Sequence, residues 1–233
     1  MRSSGFDAEA KGSDPGTGPS SKGSDPGLGP NGVRPLASSF YARPTLIVAA
    51  ELIGKVLAHT VEGRRTAGVI VEVEAYIGED DPACHAAPGP TKRNAPLYGP
   101  PGRAYVYLNY GLHYLVNAVT EAEGSPAAIL IRALDPIEGI ELMTSRRLAK
   151  RTGRHAPAAT LARHDLARGP GNVTVAMGID LRQNEGDLTT GPLTIEDHGI
   201  RAPRIAWSRR IGINVGVTRR WRCTWRQHPA ISK

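Results

Sequence analysis

The stretch that most constrains the fold runs over residues 66–76, TAGVIVEVEAY, because its apolar and polar side chains alternate with a period of two. Successive side chains of a β-strand point to opposite faces, so this segment predicts a strand with two different faces. One face would carry Val69, Val71, Val73 and Ala75, and the other Ile70, Glu72, Glu74 and Tyr76. We expect the first face to pack in the hydrophobic core and the second to hold functional side chains. Two carboxylates are equally typical of the polar face of a half-buried strand, and this segment alone leaves both interpretations open.

The residues before this strand predict its neighbours. The sequence EGRR at 62–65 is a turn, and the apolar run over 55–61 predicts an antiparallel strand on its other side. A short helix is predicted to begin at Thr45, after a proline, and to end at Gly54. The strand that carries the two glutamates is therefore expected to be internal to a sheet.

Four of the chain's seven tyrosines lie within residues 105–114, a concentration that needs a reason. The segment predicts a β-hairpin in which Tyr105 and Tyr107 share one face and Asn109-Tyr110-Gly111 forms the turn. Tyr110 at the tip would either pack under a loop or stay exposed, and an exposed ring there could insert between stacked bases. Tyr105 and Tyr107 have core packing as their ordinary alternative.

Arg132 interrupts the apolar strand predicted over 129–134. An arginine that is buried without a partner costs several kcal/mol, about 3–5. We therefore expect it to pair with a carboxylate, and either glutamate of the first strand would satisfy it equally well. After this strand, Asp135 followed by a proline and, three residues on, by Glu138 predicts a helix that runs to about residue 150.

Two loop segments are candidates for contact with a phosphate backbone. The connection over 86–102 is rich in proline and glycine and carries Arg93, and long irregular loops in compact domains are more often functional than accidental. The turn that begins with Arg168-Gly169 leads into a short helix predicted over 173–177, whose exposed amides could bind a phosphate. A Gly-Pro-Gly turn is also compatible with a purely structural role.

Charge is unevenly distributed along the chain. All of the excess positive charge, +7 overall, lies in residues 201–233, which hold nine basic residues and no acidic ones. Such a portion indicates a polyanionic partner, most simply nucleic acid. Residues 1–37 have almost no large apolar side chains and contain an eleven-residue near-repeat, so we expect a disordered tail before a single domain over 38–233.

The cysteines and the apolar runs argue against several classes of protein. Cys84 and Cys223 lack the spacing of a disulfide framework or a structural zinc site, and Cys84 beside His85 lacks further ligands. No apolar run reaches the about 18 residues of a membrane span, and the N-terminus does not resemble a secretory signal. We therefore expect a soluble protein without a metal, cytoplasmic or, in a eukaryote, nuclear.

Several separate motifs follow one another in a fixed order: EVEAY at 72–76, Cys84-His85, KRN at 92–94, YVYLNYG at 105–111, Asn117, IRALDP at 131–136 and RGPG at 168–171. With these motifs, the chain over 38–233 resembles the alkyladenine (3-methyladenine) DNA glycosylase family. The resemblance implies a mixed α/β (α+β) fold, a single domain in which helices pack on a curved, mostly antiparallel sheet. It also implies a monomeric repair enzyme without a cofactor. Such an enzyme flips alkylated or deaminated purines out of double-stranded DNA and hydrolyses the N-glycosidic bond, which leaves an abasic site.

The resemblance also implies roles for individual residues. Glu74 would activate the attacking water, and Arg132 would help to hold that water. The pocket for the flipped base would be formed by Tyr76, His85, Tyr107 and Asn117. Asn117 would discriminate against guanine, and Tyr110 would fill the vacated place in the duplex. With the loop candidates above, the predicted DNA-binding residues are Tyr110, Arg93, Arg168 and Gly169.

Two other functions remain open at this point. A module that recognises damaged DNA without cutting it would explain the basic terminal portion, but it leaves Glu74 near a polyanion without a use. A metal-dependent nuclease could use Glu72 and Glu74 as ligands. The terminal segment departs from the family pattern, with Ala230 where a large aromatic residue is usual, so its contacts to DNA are not implied.

Overall fold

An antiparallel sheet organises the computed structural model, which describes residues 33–151, 161–202 and 204–232. Within those residues the sheet has eight strands. They are β1 (Val56–Val61), β2 (Arg64–Ile77), β3 (Ala104–Asn109), β4 (His113–Val119), β5 (Ala127–Glu138), β6 (Leu193–Glu196), β7 (Ile205–Ser208) and β8 (Arg222–Trp225). Six strands follow the order β3-β4-β5-β2-β1-β6, β8 joins β2, and β7 pairs with β8.

Helices pack around this sheet. In the described part of the chain the α-helices are α1 (Ser38–Tyr41), α2 (Thr45–Leu52), α3 (Ile140–Arg151) and α4 (Pro170–Met177). Short 3-10 turns span Ala95–Tyr98, Arg163–Asp165 and Leu181–Gln183. The main core joins buried side chains from all four of these helices and from most of the strands. The predicted α+β fold, a single domain with a curled antiparallel sheet and packed helices, is confirmed.

β2 is internal to the sheet, as the sequence predicts, and it pairs with β1, β5 and β8. The strict alternation predicted for it is wrong, because the β2–β5 pairing is bulged and its register passes over Val71 on one strand and Arg132 on the other. As a result Ile70 and Val73 both lie in the main core, whereas Val71 packs in a separate cluster with Ala230. A bulge thus changes which side chains of β2 share a face.

Two helix predictions have different outcomes. The helix predicted to begin at Thr45 is confirmed as α2, and Gly54 follows it with a left-handed φ of 95°. The helix predicted to begin at Asp135 is wrong at its start, because β5 continues through that residue and α3 begins only at Ile140. Asp135 lies opposite Val69 of β2, so strand pairing outweighs the local pattern of a helix start.

β3 and β4 form the predicted hairpin, with Asn109 opposite His113 at its end. Tyr110 and Gly111 adopt left-handed φ values of 49° and 69° in the turn. The Tyr110 side chain is 87% exposed, so the alternative in which it packs under a loop is wrong. A large aromatic residue that is held in a strained turn and left in solvent is unusual, and it points to a use outside the fold.

The predicted tail over residues 1–37 lies mostly outside the described residues. Of its last residues, Leu36 belongs to the main core, and its backbone N–H donates to the carbonyl of Ile195 in β6. The short helix predicted over 173–177 is confirmed as α4, which begins earlier, at Pro170. Among the described residues, no helix combines the length and the apolar content that crossing a membrane would need.

Candidate active site

A cavity of about 590 Å³ lies where three parts of the chain meet. These parts are the turn after β2, the β3–β4 hairpin and the loop between β7 and β8. The residues that line it include Tyr76, His85, Tyr105, Tyr107, Tyr110, Asn117, Arg132 and the loop residues 211–215. The structure therefore brings all four predicted pocket residues together with Arg132 and Tyr110.

Arg132 forms salt bridges with both glutamates of β2. Its Nε lies 2.8 Å from Oε1 of Glu72, and its Nη1 lies 3.1 Å from Oε2 of Glu74. Arg132 lies at one of the irregularities of the β2–β5 register, and bulges commonly redirect a side chain beside an active site. Both carboxylates have no exposed surface, so their interpretation as the polar face of a half-buried strand is wrong.

Glu72 holds the C-terminal segment in place. It accepts a hydrogen bond from Nε of Arg222 at 2.7 Å. It also accepts hydrogen bonds from the backbone N–H and the hydroxyl of Ser232, at 2.6 and 2.7 Å. These partners belong to β8 and to the end of the described chain, and none of them lines the cavity.

Glu74 is bound instead by the wall of the cavity. Its Oε2 accepts a hydrogen bond from the Tyr76 hydroxyl at 2.9 Å, and its Oε1 accepts one from the backbone N–H of Ile211 at 2.7 Å. Glu74 itself does not line the cavity, but all three of its partners, Tyr76, Arg132 and Ile211, do. The carboxylate thus stands one layer of residues behind the cavity surface.

These surroundings move the two carboxyl groups in opposite directions. Burial raises the pKa of Glu74 above its ordinary value, and Arg132 with the hydrogen bonds from the wall offsets only part of this. Burial acts on Glu72 as well, but Arg132 and the hydrogen bonds from the C-terminal segment outweigh it and lower the pKa of Glu72. Neighbouring acids whose pKa values are pushed apart are typical of active sites, and the group with the raised pKa is the better base.

Three aromatic rings form one wall of the cavity. The ring centroids of His85 and Tyr107 lie 4.5 Å apart, and those of Tyr105 and Tyr107 lie 5.3 Å apart. Nδ1 of His85 and the hydroxyl of Tyr105 are 2.8 Å apart, and this hydrogen bond fixes the imidazole. Burial and the nearby charge of Arg93 lower the pKa of His85, which favours its neutral form. The wall therefore offers flat, uncharged rings to a ligand.

Asparagine side chains fix the orientation of this wall. The Nδ2 of Asn117, a predicted pocket residue, donates to the backbone carbonyl of Tyr105 at 2.9 Å. The Nδ2 of Asn94 donates to the carbonyls of His85 and Gly89, at 2.7 and 2.9 Å, and so holds the turn that carries His85. The role of Asn94 was not predicted, because its place in the KRN motif does not show which carbonyls it reaches.

A second buried ion pair, also not predicted, lies beside the cavity. Arg210 binds Asp81 with N–O distances of 2.5 and 2.7 Å, and neither side chain has any exposed surface. Arg210 and Arg222 belong to the basic portion over 201–233, whose charge indicates a polyanionic partner. Arg222 is bound to Glu72, so both arginines are paired with carboxylates inside the protein. The charge of that portion therefore overstates the cationic surface available to a partner.

The predicted DNA-binding residues lie in different surroundings. Tyr110 and Arg93 are exposed. Gly169 precedes α4 with a φ of 95°. The guanidinium of Arg168 is engaged within the fold, where it donates to Asp165, Pro229 and Ile231. Phosphate contacts by Arg168 and Gly169 stay predictions.

In the described ranges, no three His, Cys, Asp or Glu side chains form a group that could hold a metal ion. The thiols of Cys84 and Cys223 are both free and buried. Burial raises the pKa of Cys84 to about 11 and that of Cys223 to about 12. Thiols in such apolar surroundings are protonated at neutral pH and unreactive.

Residues 39–229 match a family model that is described as Methylpurine-DNA glycosylase (MPG). A protein of Chlorobium phaeobacteroides (strain BS1), provisionally named 3-methyladenine DNA glycosylase, is 46% identical over 189 residues, which cover 80% of this chain and 89% of the relative. Relatives with the same provisional name come from Methanocella arvoryzae, 45% identical over 85% of this chain and 96% of the relative, and from Clostridium acetobutylicum, 46% identical over 77% of this chain and 86% of the relative. The matched range contains every strand of the described sheet and all the residues that line the cavity. This chain therefore belongs to the methylpurine-DNA glycosylase family.

Proposed function

We propose that this DNA glycosylase flips an alkylated or deaminated purine out of duplex DNA into the cavity and hydrolyses its N-glycosidic bond, with Glu74 as the general base. The products would be the free base and an abasic site, from which base excision repair continues. One observation carries the proposal: the carboxylate of Glu74 is bound by three residues that line an aromatic cavity.

Glu74 has the chemistry of a base although its side chain is fully buried. An ionised carboxylate offers about four acceptor sites, and hydrogen bonds from Tyr76, Arg132 and Ile211 take three of them. The attacking water would take up a remaining site, give its proton to Glu74 and add to the sugar carbon as the base leaves. General base catalysis by a positioned side chain contributes about 10²–10⁴-fold to a rate.

The wall must yield slightly to admit this water. Of the three donors to Glu74, Arg132 is also held by Glu72, and the Ile211 donor belongs to the backbone. The Tyr76 hydroxyl is the donor whose movement requires the smallest rearrangement, because only one side chain has to turn. We therefore expect a water to share or replace the Tyr76 hydrogen bond on Oε2 of Glu74 once a nucleotide has entered.

The cavity suits a flat and electron-poor base. Its volume of about 590 Å³ lies within the about 300–1,000 Å³ of small-molecule sites. Stacking on aromatic side chains contributes about 1–3 kcal/mol per base, against an extrusion cost of a few kcal/mol. A purine alkylated on a ring nitrogen is positively charged, so the electron-rich ring of Tyr107 attracts it and a neutral His85 does not repel it. Asn117, with its amide fixed by Tyr105, would discriminate against guanine.

Tyr110 is placed to fill the space that the flipped nucleotide leaves. Its ring is 87% exposed at the tip of the hairpin that forms one side of the cavity, and Leu112 beside it is 67% exposed. Apolar and aromatic side chains inserted between base pairs hold a kinked duplex. Arg93 and other exposed cations would contact the phosphates. We propose that the protein acts as a monomer, in the compartment that holds the cell's DNA.

Single-turnover base release from a panel of duplexes, each with one modified purine, tests the proposal when the released base is identified by mass. We expect release of at least one alkylated purine, with or without a chelator. Glu74→Gln should bind the same duplex and release no base. Glu196→Gln is the matched control, because Glu196 is also a buried carboxylate with an arginine partner, but its hydrogen-bond partners Arg65, Thr194 and His198 do not line the cavity.

The outcomes separate the possible roles of the site. Release by Glu74→Gln at the wild-type rate would overturn the role of Glu74 while leaving the activity in place. Binding of the modified duplexes without release of any base by the wild-type protein would overturn the proposed reaction.

A further inference from the structure

The buried ion pair between Asp81 and Arg210 connects two walls of the cavity. Asp81 lies in the turn after β2 that leads to His85, and Arg210 directly precedes the loop 211–215. Neither side chain has any exposed surface, and neither lines the cavity. The mechanism proposed above gives this pair no role.

Arg210 reaches the surroundings of Glu74 at three points. The residue after it, Ile211, donates its backbone N–H to Oε1 of Glu74 at 2.7 Å. Its own Nη1 donates to the carbonyl of Ala75, the residue after Glu74 on β2, at 3.0 Å. Its guanidinium lies 4.6 Å from the ring centroid of Tyr76, whose hydroxyl donates to Oε2 of Glu74. The position of Arg210 therefore sets the positions of two of the three donors to Glu74.

Asp81 fixes the guanidinium of Arg210 from the opposite wall. Its side chain accepts a hydrogen bond from the N–H of Ala83, and its backbone carbonyl accepts one from the N–H of Cys84. The loop after Arg210 folds closely over the pair. A Cβ at Gly216 would lie 3.1 Å from Nη2 of Arg210 and 3.2 Å from Oδ1 of Asp81.

We infer that the Asp81–Arg210 pair is a positioning device for the general base, which holds the Ile211 N–H on one oxygen of Glu74 and Tyr76 against the other. The inference rests on the proposed function, because it presupposes that Glu74 is the base. Desolvation offsets most of the attraction within a buried ion pair, so such a pair adds little net stability. The contacts of the Asp81–Arg210 pair agree instead with a role in fixing the geometry around Glu74.

The pH dependence of base release reports on this geometry. Glu74 must be ionised to act, so the rate falls as the pH drops through its pKa. A hydrogen bond to the ionised form lowers that pKa, so loss of the Ile211 bond should raise it. The low-pH side of the pH–rate profile, called the acid limb below, should then move to higher pH by about one to two units. The titratable and charged groups around Glu74 are Glu72, Tyr76, Tyr107, Arg132, Arg210 and Arg222.

A double variant, Asp81→Leu with Arg210→Met, removes the pair and replaces it with apolar side chains. Such exchanges are often neutral for stability, so we expect a folded protein. The single-turnover rate is measured against pH, together with binding to a duplex that carries a stable abasic-site analogue and with Tm. We expect the acid limb to move up, so that the rate at a pH on the wild-type acid limb falls about tenfold or more, with binding nearly unchanged.

The matched control weakens another ion pair. Arg65→Lys alters the pair of Arg65 with Glu196, which does not line the cavity. It should lower Tm without moving the acid limb. A double variant with the wild-type acid limb would overturn the inference, and so would an equal shift in Arg65→Lys. Failure of the proposed function looks different, because then either Glu74→Gln would release base or the wild-type protein would release none.

A glycine pair keeps the inference testable if the double variant does not fold. Gly216→Ala presses a methyl group against Arg210 without removing it, and Gly199→Ala adds one where no atom lies within 4 Å. Both glycines have left-handed φ values, 61° and 70°, so the backbone strain of the two variants is similar. We expect the acid limb to move up in Gly216→Ala alone. An unmoved limb in that variant would also overturn the inference.

Discussion

Two carboxylates on one strand share one arginine and nevertheless lie in opposite surroundings. Glu72 is closed off by Arg222 and Ser232, whereas Glu74 is bound by groups that line the cavity. The pKa of Glu72 is lowered by those partners, and that of Glu74 is raised by burial. Both side chains are fully buried, so burial alone does not single out the proposed base. What distinguishes Glu74 is that its partners form the wall of a cavity.

Replacing Arg132, the cation that both carboxylates share, should have the largest effect on the protein. Arg132→Gln leaves two buried carboxylates without the charge between them, and loss of one member of a buried ion pair costs about 3–5 kcal/mol. We expect the free energy of unfolding in urea to fall by about that amount. Base release at neutral pH should also be lost, because Glu74 then loses its salt-bridge partner and the ionised form is stabilised less.

Arg182→Gln is the control for that measurement. It removes an exposed arginine that pairs with Asp180 at 2.8 Å. Exposed ion pairs contribute little to stability, so the control should leave the free energy of unfolding nearly unchanged. An Arg132→Gln variant that is no less stable than this control would show that the two carboxylates do not depend on one cation.

Glu72→Gln tests whether the Glu72 carboxylate contributes to stability and not to base release. It replaces an ion by an amide at a site that receives hydrogen bonds from Arg222 and Ser232, and hydrogen bonds to charged groups contribute about 1.5–3 kcal/mol. We expect a loss of stability of that size in urea denaturation, with the rate of base release within about tenfold of wild type. Base release as low as in Glu74→Gln would mean that both carboxylates take part in the reaction.

The parts of this site that the sequence predicts are those that local chemistry determines. The period of two places Glu72 and Glu74 on one strand, and the turn chemistry places Tyr110 at a hairpin tip. The bulges that turn Arg132 toward both glutamates depend on how β2 and β5 pair, and no local pattern in either strand encodes that register. The pairing of these strands also overrides the helix start that Asp135 suggests.

The partners of charged groups are equally hard to predict when they lie far apart in the chain. Arg210 and Asp81 are separated by 129 residues, and Arg222 and Glu72 by 150. A run of arginines without acids indicates a cationic surface, but it does not show which members are neutralised by distant carboxylates. The sequence therefore predicts the class of partner better than the surface that contacts it.

Replacing Tyr110 should weaken DNA binding without changing stability, whereas replacing Glu72 should lower stability with little effect on base release. Tyr110→Asn keeps a residue that adopts left-handed φ values readily, and the ring it removes is 87% exposed, so stability should change by less than about 0.5 kcal/mol. Affinity for a duplex with a modified purine should fall about tenfold, on the scale of one lost stacking contact. Leu181→Asn, which removes another exposed apolar side chain outside the cavity, should leave both quantities unchanged. Equal affinities of Tyr110→Asn and wild type would contradict the role of Tyr110 in the duplex.

In the wild-type protein the two carboxylates should become protonated at different pH values as the pH falls. This is the smallest of the predicted effects on the free energy of unfolding. The pKa of Glu74 is raised above 4.5, so the ionised form of Glu74, the proposed base, is lost first as the pH falls. Protonation of Glu74 does not weaken the fold, because a raised pKa means that the folded state favours the neutral form. The pKa of Glu72 is lowered below 4.5. Its contribution to stability is therefore complete above the unfolded pKa and is lost only as the pH falls through the folded one, and it amounts to about 1.4 kcal/mol for each pH unit that separates these two pKa values.

We therefore expect an interval just above pH 4.5 in which the protein is folded but releases base slowly. The rate should recover when the pH returns to neutral, because no unfolding has occurred. Circular dichroism and single-turnover rates, measured on the same samples across the acid range, locate the two transitions. In Glu72→Gln the folding transition should lose part of its acid dependence, and the kinetic transition should move to lower pH, because the charge of Glu72 contributes to the raised pKa of Glu74. If structure and activity were lost at the same pH in the wild-type protein, the two ends of Arg132 would not differ in the way that their contacts indicate.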